Sequence, residues 1–303
     1  MSDRLTRVTA WTAGLASLAV LGGVLVIALV ARGSGGASAA AEPDLPAGRG
    51  ARLYGRYCAT CHGARGDGLG PSAAFLSPPP RDFRSAQFKF TGTPEGALPL
   101  DDELARIVRG GLAGTAMQAW DIPDDELAAV IAQLKAFSPA GRGFRDPARR
   151  PARGETPPDP GPGDRSEGAR LYHAVMQCNA CHPSYATPDE LAAWGAQPRQ
   201  VAPLEPVAKW SASYRSVLLP PDFLRHTVRW AREPAELYRL IAHGMQGPMP
   251  GYGHLGAAQI WPVVHYTRWL ISLRGTASGD ALRARLERAY GISAPAGTGS
   301  HRR

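Results

Sequence analysis

The longest apolar signal of the chain lies at its N-terminus. Val8 to Ala31 is a 24-residue run without a charge, flanked by Arg4 and Arg7 on one side and Arg32 on the other. A helix of that length would cross a hydrocarbon core of about 30 Å. Further along, the apolar positions fall into shorter helical stripes. Leu104, Ile107 and Val108 follow Asp101 and Asp102, either of which can cap a helix that stops at Gly110-Gly111. Pro123 with Asp124, Asp125 and Glu126 starts another, whose Leu127, Val130, Ile131, Leu134 and Phe137 recur at helical spacing. Pro234 opens a third through Leu237, Leu240 and Ile241 to a stop near Gly244. Ile260, Val263, Val264, Thr267 and Leu270 mark the last, with Pro262 expected in its first turn. No convincing run of alternating positions predicts a strand, so the expected class is mainly α.

The pattern occurs twice. Gly50-Ala51-Arg52-Leu53-Tyr54 returns letter for letter as Gly168-Ala169-Arg170-Leu171-Tyr172. Pro79-Pro80-Arg81-Asp82-Phe83 is echoed, one residue shorter, by Pro220-Pro221-Asp222-Phe223, and the stretch Gly111 to Met117 by Gly244 to Met249. The order is the same in both halves, which implies duplication of one module. The expected organisation is an anchor or signal over 1–32, a linker over 33–44, a first helical domain over 45–140 and a second over 164–292. Residues 141–163, rich in Pro, Gly and Arg, are expected to be a linker too polar to fold, and 293–303 a flexible tail.

Each half holds one further motif: Cys58-Ala59-Thr60-Cys61-His62 and Cys178-Asn179-Ala180-Cys181-His182. C-x-x-C-H is the attachment signature of c-type haem. The two thiols form thioethers to one porphyrin, and the adjacent histidine supplies a nitrogen to the iron. These two motifs use all four cysteines of the chain. A zinc ribbon repeats its cysteine pairs within about 20 residues, and a redox dithiol needs no following histidine. Cys61 and Cys178 are much further apart, so two covalently bound haem c groups are expected, on Cys58, Cys61, Cys178 and Cys181, with His62 and His182 as iron ligands.

The opposite face of each iron needs its own ligand, and a thioether there favours the ferrous state. Met117 follows a glycine-rich turn and precedes Trp120. Small residues let such a backbone approach a flat ring closely. Met249 holds the matching position in the second half, whereas Met245 aligns with Leu112, so Met117 and Met249 are preferred. Met176 is too near Cys178 to reach the far face. His173, His226, His243, His254 and His265 have no counterpart in the repeat and are read as surface or hydrogen-bonded core residues.

The 303 residues carry a net charge of +8, almost all from arginine; only Lys89, Lys135 and Lys209 are lysines. The densest basic stretch, Arg142 to Arg153, lies in the Pro-rich segment and is read as solvated and disordered, and no basic cluster with aromatic platforms is seen, so nucleic acid is not an expected partner. At the N-terminus, Ala37-Ser38-Ala39 and Ala39-Ala40-Ala41 resemble cleavage sites. The length of the apolar run nevertheless favours a retained anchor, with Arg4 and Arg7 on the cytoplasmic side.

Each half resembles a class I c-type cytochrome domain. The likeness rests on the leading Gly-x-x-Leu-Tyr helix, the C-x-x-C-H run, the glycine-rich stretch Cys58 to Gly68, the Met loop Thr115 to Trp120, and a closing helix. It covers roughly 45–140 and 164–275; the second half departs in Pro183 after His182 and in about sixty residues before its Met loop. The resemblance implies two tandem cytochrome c-like domains behind one transmembrane helix, with haem attachment completed outside the cytoplasm. The expected function is electron transfer by a single-pass cytochrome of the inner membrane, its haem domains periplasmic. Its partners would be a quinol-oxidising or dehydrogenase complex and a terminal oxidase or reductase of the respiratory chain. Such a carrier needs no catalytic residue. A cytochrome subunit of a larger oxidase, reductase or dehydrogenase complex is the alternative. A dihaem peroxidase is a weaker one, since it would need an open iron face beside an acid–base residue.

Overall fold

Glycine decides how the helices of each half cross. The computed structural model describes residues 48–292, apart from Arg232 and Pro248, so the expected anchor, its linker and the tail lie outside the described residues. In the first half α1 (Arg49–Tyr57) runs into the short α2 (Ala59–His62), followed by α3 (Asp101–Gly110) and α4 (Asp124–Ala136). Helix α1 packs on α4, and a Cβ at Gly50 would lie less than 3.0 Å from the Ala129 carbonyl oxygen. In the second half α5 (Arg165–Arg170) continues as a π-helical turn over Leu171–Val175, and α6 (Pro188–Ala193), α7 (Pro234–His243), α8 (Ala257–Ser272) and α9 (Ala277–Ala289) follow. Here α5 packs on α8, and a Cβ at Gly168 would meet the Pro262 carbonyl in the same way. The repeated Gly-Ala-Arg-Leu-Tyr thus encodes a close helix crossing, and its tyrosine reaches forward to the segment after the C-x-x-C-H run. Tyr54 donates to the Gly63 carbonyl (2.8 Å) and Tyr172 to that of Pro183 (3.3 Å), the residues that follow the two motif histidines.

The apolar stripes lie where their spacing puts them. Leu127, Val130, Ile131 and Leu134 are buried on α4, the first module's core being completed by Tyr54, Phe83, Leu104 and Ile122. The second core is larger and gathers Tyr172, Leu237, Ile241, Ile260, Val264 and Leu270. Burying each such side chain stabilises by roughly 1.5–3 kcal/mol. Phe90 and Ile107 of the first module also press against that second core, and both modules belong to one compact unit. Arg106 adds to this boundary, lying 3.7 Å from the Trp230 ring centroid and pairing with Glu236.

Several expectations are corrected. Neither Asp101 nor Asp102 caps α3: Leu100 holds that position, and the buried Glu103 carboxylate accepts its N–H at 3.0 Å, with Gly92 N–H and Thr93 Oγ1 as further donors. Pro262 is the sixth residue of α8 rather than in its first turn, and α8 is not the last helix. Helix α9 follows, capped by Thr276, with Leu286 buried. A two-stranded antiparallel hairpin, β1 (Lys209–Ser211) and β2 (Ser216–Leu218), lies in the extra stretch of the second half, too short to leave an alternating pattern. The Pro/Gly/Arg segment is not a free linker along its whole length. Leu98 exchanges backbone hydrogen bonds with Arg150 and Ala152, Gly154 donates to Gly92, and Arg149 donates to the Gly96 and Ala97 carbonyls. Backbone pairing holds it, which needs no apolar side chain. Among the described residues no helix is long and apolar enough to cross a membrane.

The glycine crossings give a direct test. Gly50→Val and Gly168→Val should each destabilise their module by about 1–3 kcal/mol or more through overpacking, read as a lower midpoint in urea unfolding. At Gly110 an added Cβ would meet nothing within 4 Å, so Gly110→Ala should leave the midpoint unchanged or raise it slightly.

Candidate functional site

Each C-x-x-C-H run is wound into one helical turn that brings its three side chains together. His62 N–H donates to the Cys58 carbonyl at 2.8 Å, and His182 N–H to that of Cys178 at 2.9 Å. The first run is α-helical after Cys58. The second is a 3-10 turn entered through Gln177, whose φ of 51° is left-handed. All four thiols are unpaired and half-buried. Burial pushes Cys58 and Cys178 up to about 12, with the neighbouring Cys61 and Cys181 adding to it. Reactive cysteines have lowered values, so Cys58 and Cys178 are not poised as redox or nucleophilic thiolates. Among the described residues no group of three His, Cys, Asp or Glu side chains could hold a bare metal ion.

The histidines are aimed by a turn that the repeat encodes. His62 Nδ1 lies 3.1 Å from the Arg81 carbonyl, and His182 Nδ1 lies 3.0 Å from that of Pro221. A carbonyl can only accept, so in both rings Nδ1 carries the proton and Nε2 keeps its lone pair. Burial lowers both imidazoles below the usual histidine range, against the pull of these hydrogen bonds, which favours the neutral form that ligates iron. The next residue fixes the carbonyl. Asp82 Oδ1 accepts the Arg84 N–H and Asp222 Oδ1 the Leu224 N–H, each at 3.0 Å, a side-chain turn that holds the backbone two residues on. The aromatic residue that follows stacks on the imidazole: Phe83 on His62 at 4.5 Å, Phe223 on His182 at 5.1 Å.

The two methionine loops close alike. Leu112 N–H donates to the Met117 carbonyl at 2.8 Å, and Met245 N–H to that of Met249 at 3.0 Å. Gly111 and Gly244 end α3 and α7 with positive φ of 60° and 71°. A Cβ on either would come within 3.0 Å of the methionine carbonyl, so only glycine allows the loop to fold back on its helix. Met117 and Met249 are both half-buried, and Met245 occupies the place of Leu112. The donor set suits a haem c in each half: two unpaired thiols, one neutral imidazole with a free nitrogen, and a methionine on a separate loop.

The spare histidines sort by their partners. His173 is buried, its Nδ1 donating to Ala169 O (2.7 Å) and its Nε2 accepting from Tyr185 N–H (3.1 Å), so neither nitrogen can ligate. His226 Nδ1 accepts from Asp222 N–H, His265 pairs with Asp159, and His254 is exposed beside Tyr252. His243 points its Nε2 at Gly154 of the segment that joins the modules.

The stacked Phe83 and Phe223 and the turn carboxylates Asp82 and Asp222 were legible only as an unexplained echo in the sequence. Two second-half supports left no signal at all. Tyr185 donates to Asp222 Oδ1 at 3.1 Å, and Arg283 of α9 reaches Asp222 at 3.3 Å and Glu205 at 2.6 Å. Helix α9 therefore braces the turn that aims His182.

His173 supplies a pH prediction. Burial drives it down to about 4, against the hydrogen bond to Ala169, so between roughly pH 4 and 6.5 the unfolded chain binds a proton that the folded one does not. Stability from this group should be constant above pH 6.5, fall as pH drops through that window, and level off below 4, by about 3 kcal/mol at most. Urea unfolding at pH 7 and pH 4.5 should show the loss in the wild type and a smaller one in His173→Gln.

Residues 46–133 and 163–266 match the family described as cytochrome C oxidase, cbb3-type, subunit III. Among solved structures the chain is similar to one from the Kuenenia stuttgartiensis reducing HAO-like protein complex. The two are 26% identical, the match covers 74% of this chain and 96% of that one, and the TM-score is 0.60. No curated protein matches the chain.

Proposed function

The chain belongs to the family of cytochrome C oxidase, cbb3-type, subunit III, and from that premise we propose that it is a membrane-tethered dihaem cytochrome c that relays electrons between respiratory-chain components outside the cytoplasm. The observation that carries this reading is the pair of equivalent sites. In each, Nδ1 of the motif histidine is pinned to a carbonyl and a glycine-hinged loop presents a methionine. Haem c, when bound, supplies one-electron exchange between ferric and ferrous iron. Cys58 and Cys61, and Cys178 and Cys181, hold it covalently. His62 and His182 offer Nε2 to the iron, and Met117 and Met249 offer a thioether that favours the reduced state. Phe83 and Phe223 keep the imidazoles in one plane, and the apolar cores behind them keep water out, so little has to move between oxidation states.

The uncharged run Val8 to Ala31 supports the tether, and Arg4 and Arg7 support an orientation with the described residues on the periplasmic side. A second reading is favoured by the likeness to a chain of a multi-protein complex. In it, the protein is the cytochrome subunit of a larger oxidase, reductase or dehydrogenase, and its own chemistry is unchanged. Its partners would be redox proteins in either case.

The denatured protein should keep the added mass of two haems, and loss of all haem on acid–acetone extraction would overturn covalent attachment. The oxidised protein should show the near-infrared methionine–iron band. Met117→His should remove about half of it and lower one potential, because imidazole favours ferric iron more than thioether does. Met249→His should act likewise on the other site, and Met245→Leu should change little. Loss of the second signal in Met245→Leu but not in Met249→Leu would move the ligand by four residues.

Fractionation tests the tether. The native protein should sediment with membranes and retain residues before Ala41, whereas a soluble product beginning near Ala40 or Glu42 would show cleavage.

A further inference from the structure

We propose that Tyr214, between β1 and β2, is a positioning residue that couples the two sites, linking the turn that aims His62 to the loop that presents Met249. The inference rests on the reading that both sites hold haem. Tyr214 is only 3% exposed although it sits at the tip of a hairpin. Its hydroxyl donates to the Gln246 carbonyl at 2.8 Å, inside the loop closed by Met245 and Met249. Its ring also packs on Gly247, where a Cβ would come within 2.9 Å of it. Toward the first module, the Arg81 guanidinium lies 4.1 Å from the Tyr214 ring centroid and donates to the Ser213 carbonyl at 3.1 Å. Arg81 is the residue whose own carbonyl accepts from His62. Lys89 Nζ stands 5.0 Å from the same ring. On the other side of Tyr214, Arg215 donates to the Asp67 carbonyl, just beyond the first C-x-x-C-H run.

Three consecutive residues of the second half therefore grip the first site, and the central one also grips the second. They lie in the extra stretch that has no counterpart in the first half. Arg215 adopts a left-handed φ of 46°, a strained conformation for a side-chain-bearing residue that persists where surrounding contacts hold it. A cation over an aromatic face is attractive, more so when shielded from water. The contact path is unbroken: His62, the Arg81 carbonyl, the Arg81 side chain, Tyr214, Gln246, and the Met249 loop. A shift of either loop is passed to the other through the Tyr214 ring, so the potentials of the two sites are not independent.

The test compares haem-loaded full-length protein with Tyr214→Phe, Tyr214→Leu and Arg81→Met, by hydrogen exchange over residues 79–84 and 244–251 and by spectroelectrochemical titration of both haems. Tyr214→Phe keeps the ring and loses the hydroxyl. It should speed exchange over 244–251 by about five-fold and shift the second haem's potential more than the first's. Tyr214→Leu should speed exchange in both segments and shift both potentials. Arg81→Met keeps the carbonyl that His62 uses, yet should speed exchange over 244–251, a segment that Arg81 reaches through Tyr214. Wild-type exchange over 244–251 in Arg81→Met, or an unmoved first site in folded Tyr214→Leu, would overturn the coupling. A wild-type protein carrying fewer than two haems would instead overturn the proposed function, and the exchange data would still decide the coupling.

Discussion

The hydrogen bond from each motif histidine to a backbone carbonyl organises most of what surrounds it. It fixes which ring nitrogen carries the proton, and so which one keeps a free lone pair, and it sets the plane of the ring. A single hydrogen bond of this kind contributes only about 1 kcal/mol net, too little to hold geometry against thermal motion by itself. The fold therefore surrounds it with supports. The Asx turns at Asp82 and Asp222 set the carbonyl, Phe83 and Phe223 pack on the ring, and Tyr54 and Tyr172 tie down the residue that follows each histidine. The glycine crossings at Gly50 and Gly168 then bring the helix that carries each tyrosine close against a second helix of its module.

The two modules solve this problem with the same backbone and different side chains. In the first, Asp82 is held by its neighbour Arg84 through two side-chain hydrogen bonds of 2.9 and 2.7 Å. In the second, Asp222 is 1% exposed and draws on Tyr185 and on Arg283 of α9, far away in sequence. A buried carboxylate without partners is costly, and one with several is held firmly. The extra stretch and α9 of the second half thus belong together: the one brings Tyr185, which donates to Asp222, and Glu205, the other the arginine that pairs with both Glu205 and Asp222. The same stretch supplies the hairpin that reaches the first module.

Joining the modules into one unit also changes the part played by the segment between them. Leu98, Gly92 and Arg149 strap its first half to the first module, and Arg239 of α7 donates to Thr156 at 2.8 Å. On one framework the two C-x-x-C-H sites keep a fixed spacing, which two beads on a flexible string would not.

The C-x-x-C-H motifs were legible residue by residue, because the haem attachment they would serve demands particular side chains at fixed local spacing. Cys58 to His62 and Cys178 to His182 need no partner from elsewhere to be recognised. The stripe on α4 and the glycine stops of α3 and α7 are also local, set by helical period and by the φ that glycine permits. The echo of Pro-Arg-Asp-Phe in Pro-Asp-Phe was visible too, but its purpose was not, since a backbone carbonyl has no letter. What only the tertiary structure decided are the interactions between residues distant in sequence. They are Arg283 on Asp222, Glu103 rather than an aspartate at the start of α3, the strapped arginine-rich segment, and Tyr214 between the two sites. Each depends on where the backbone puts a carbonyl or a ring after folding, and that position follows from packing across many residues rather than from any short run of sequence.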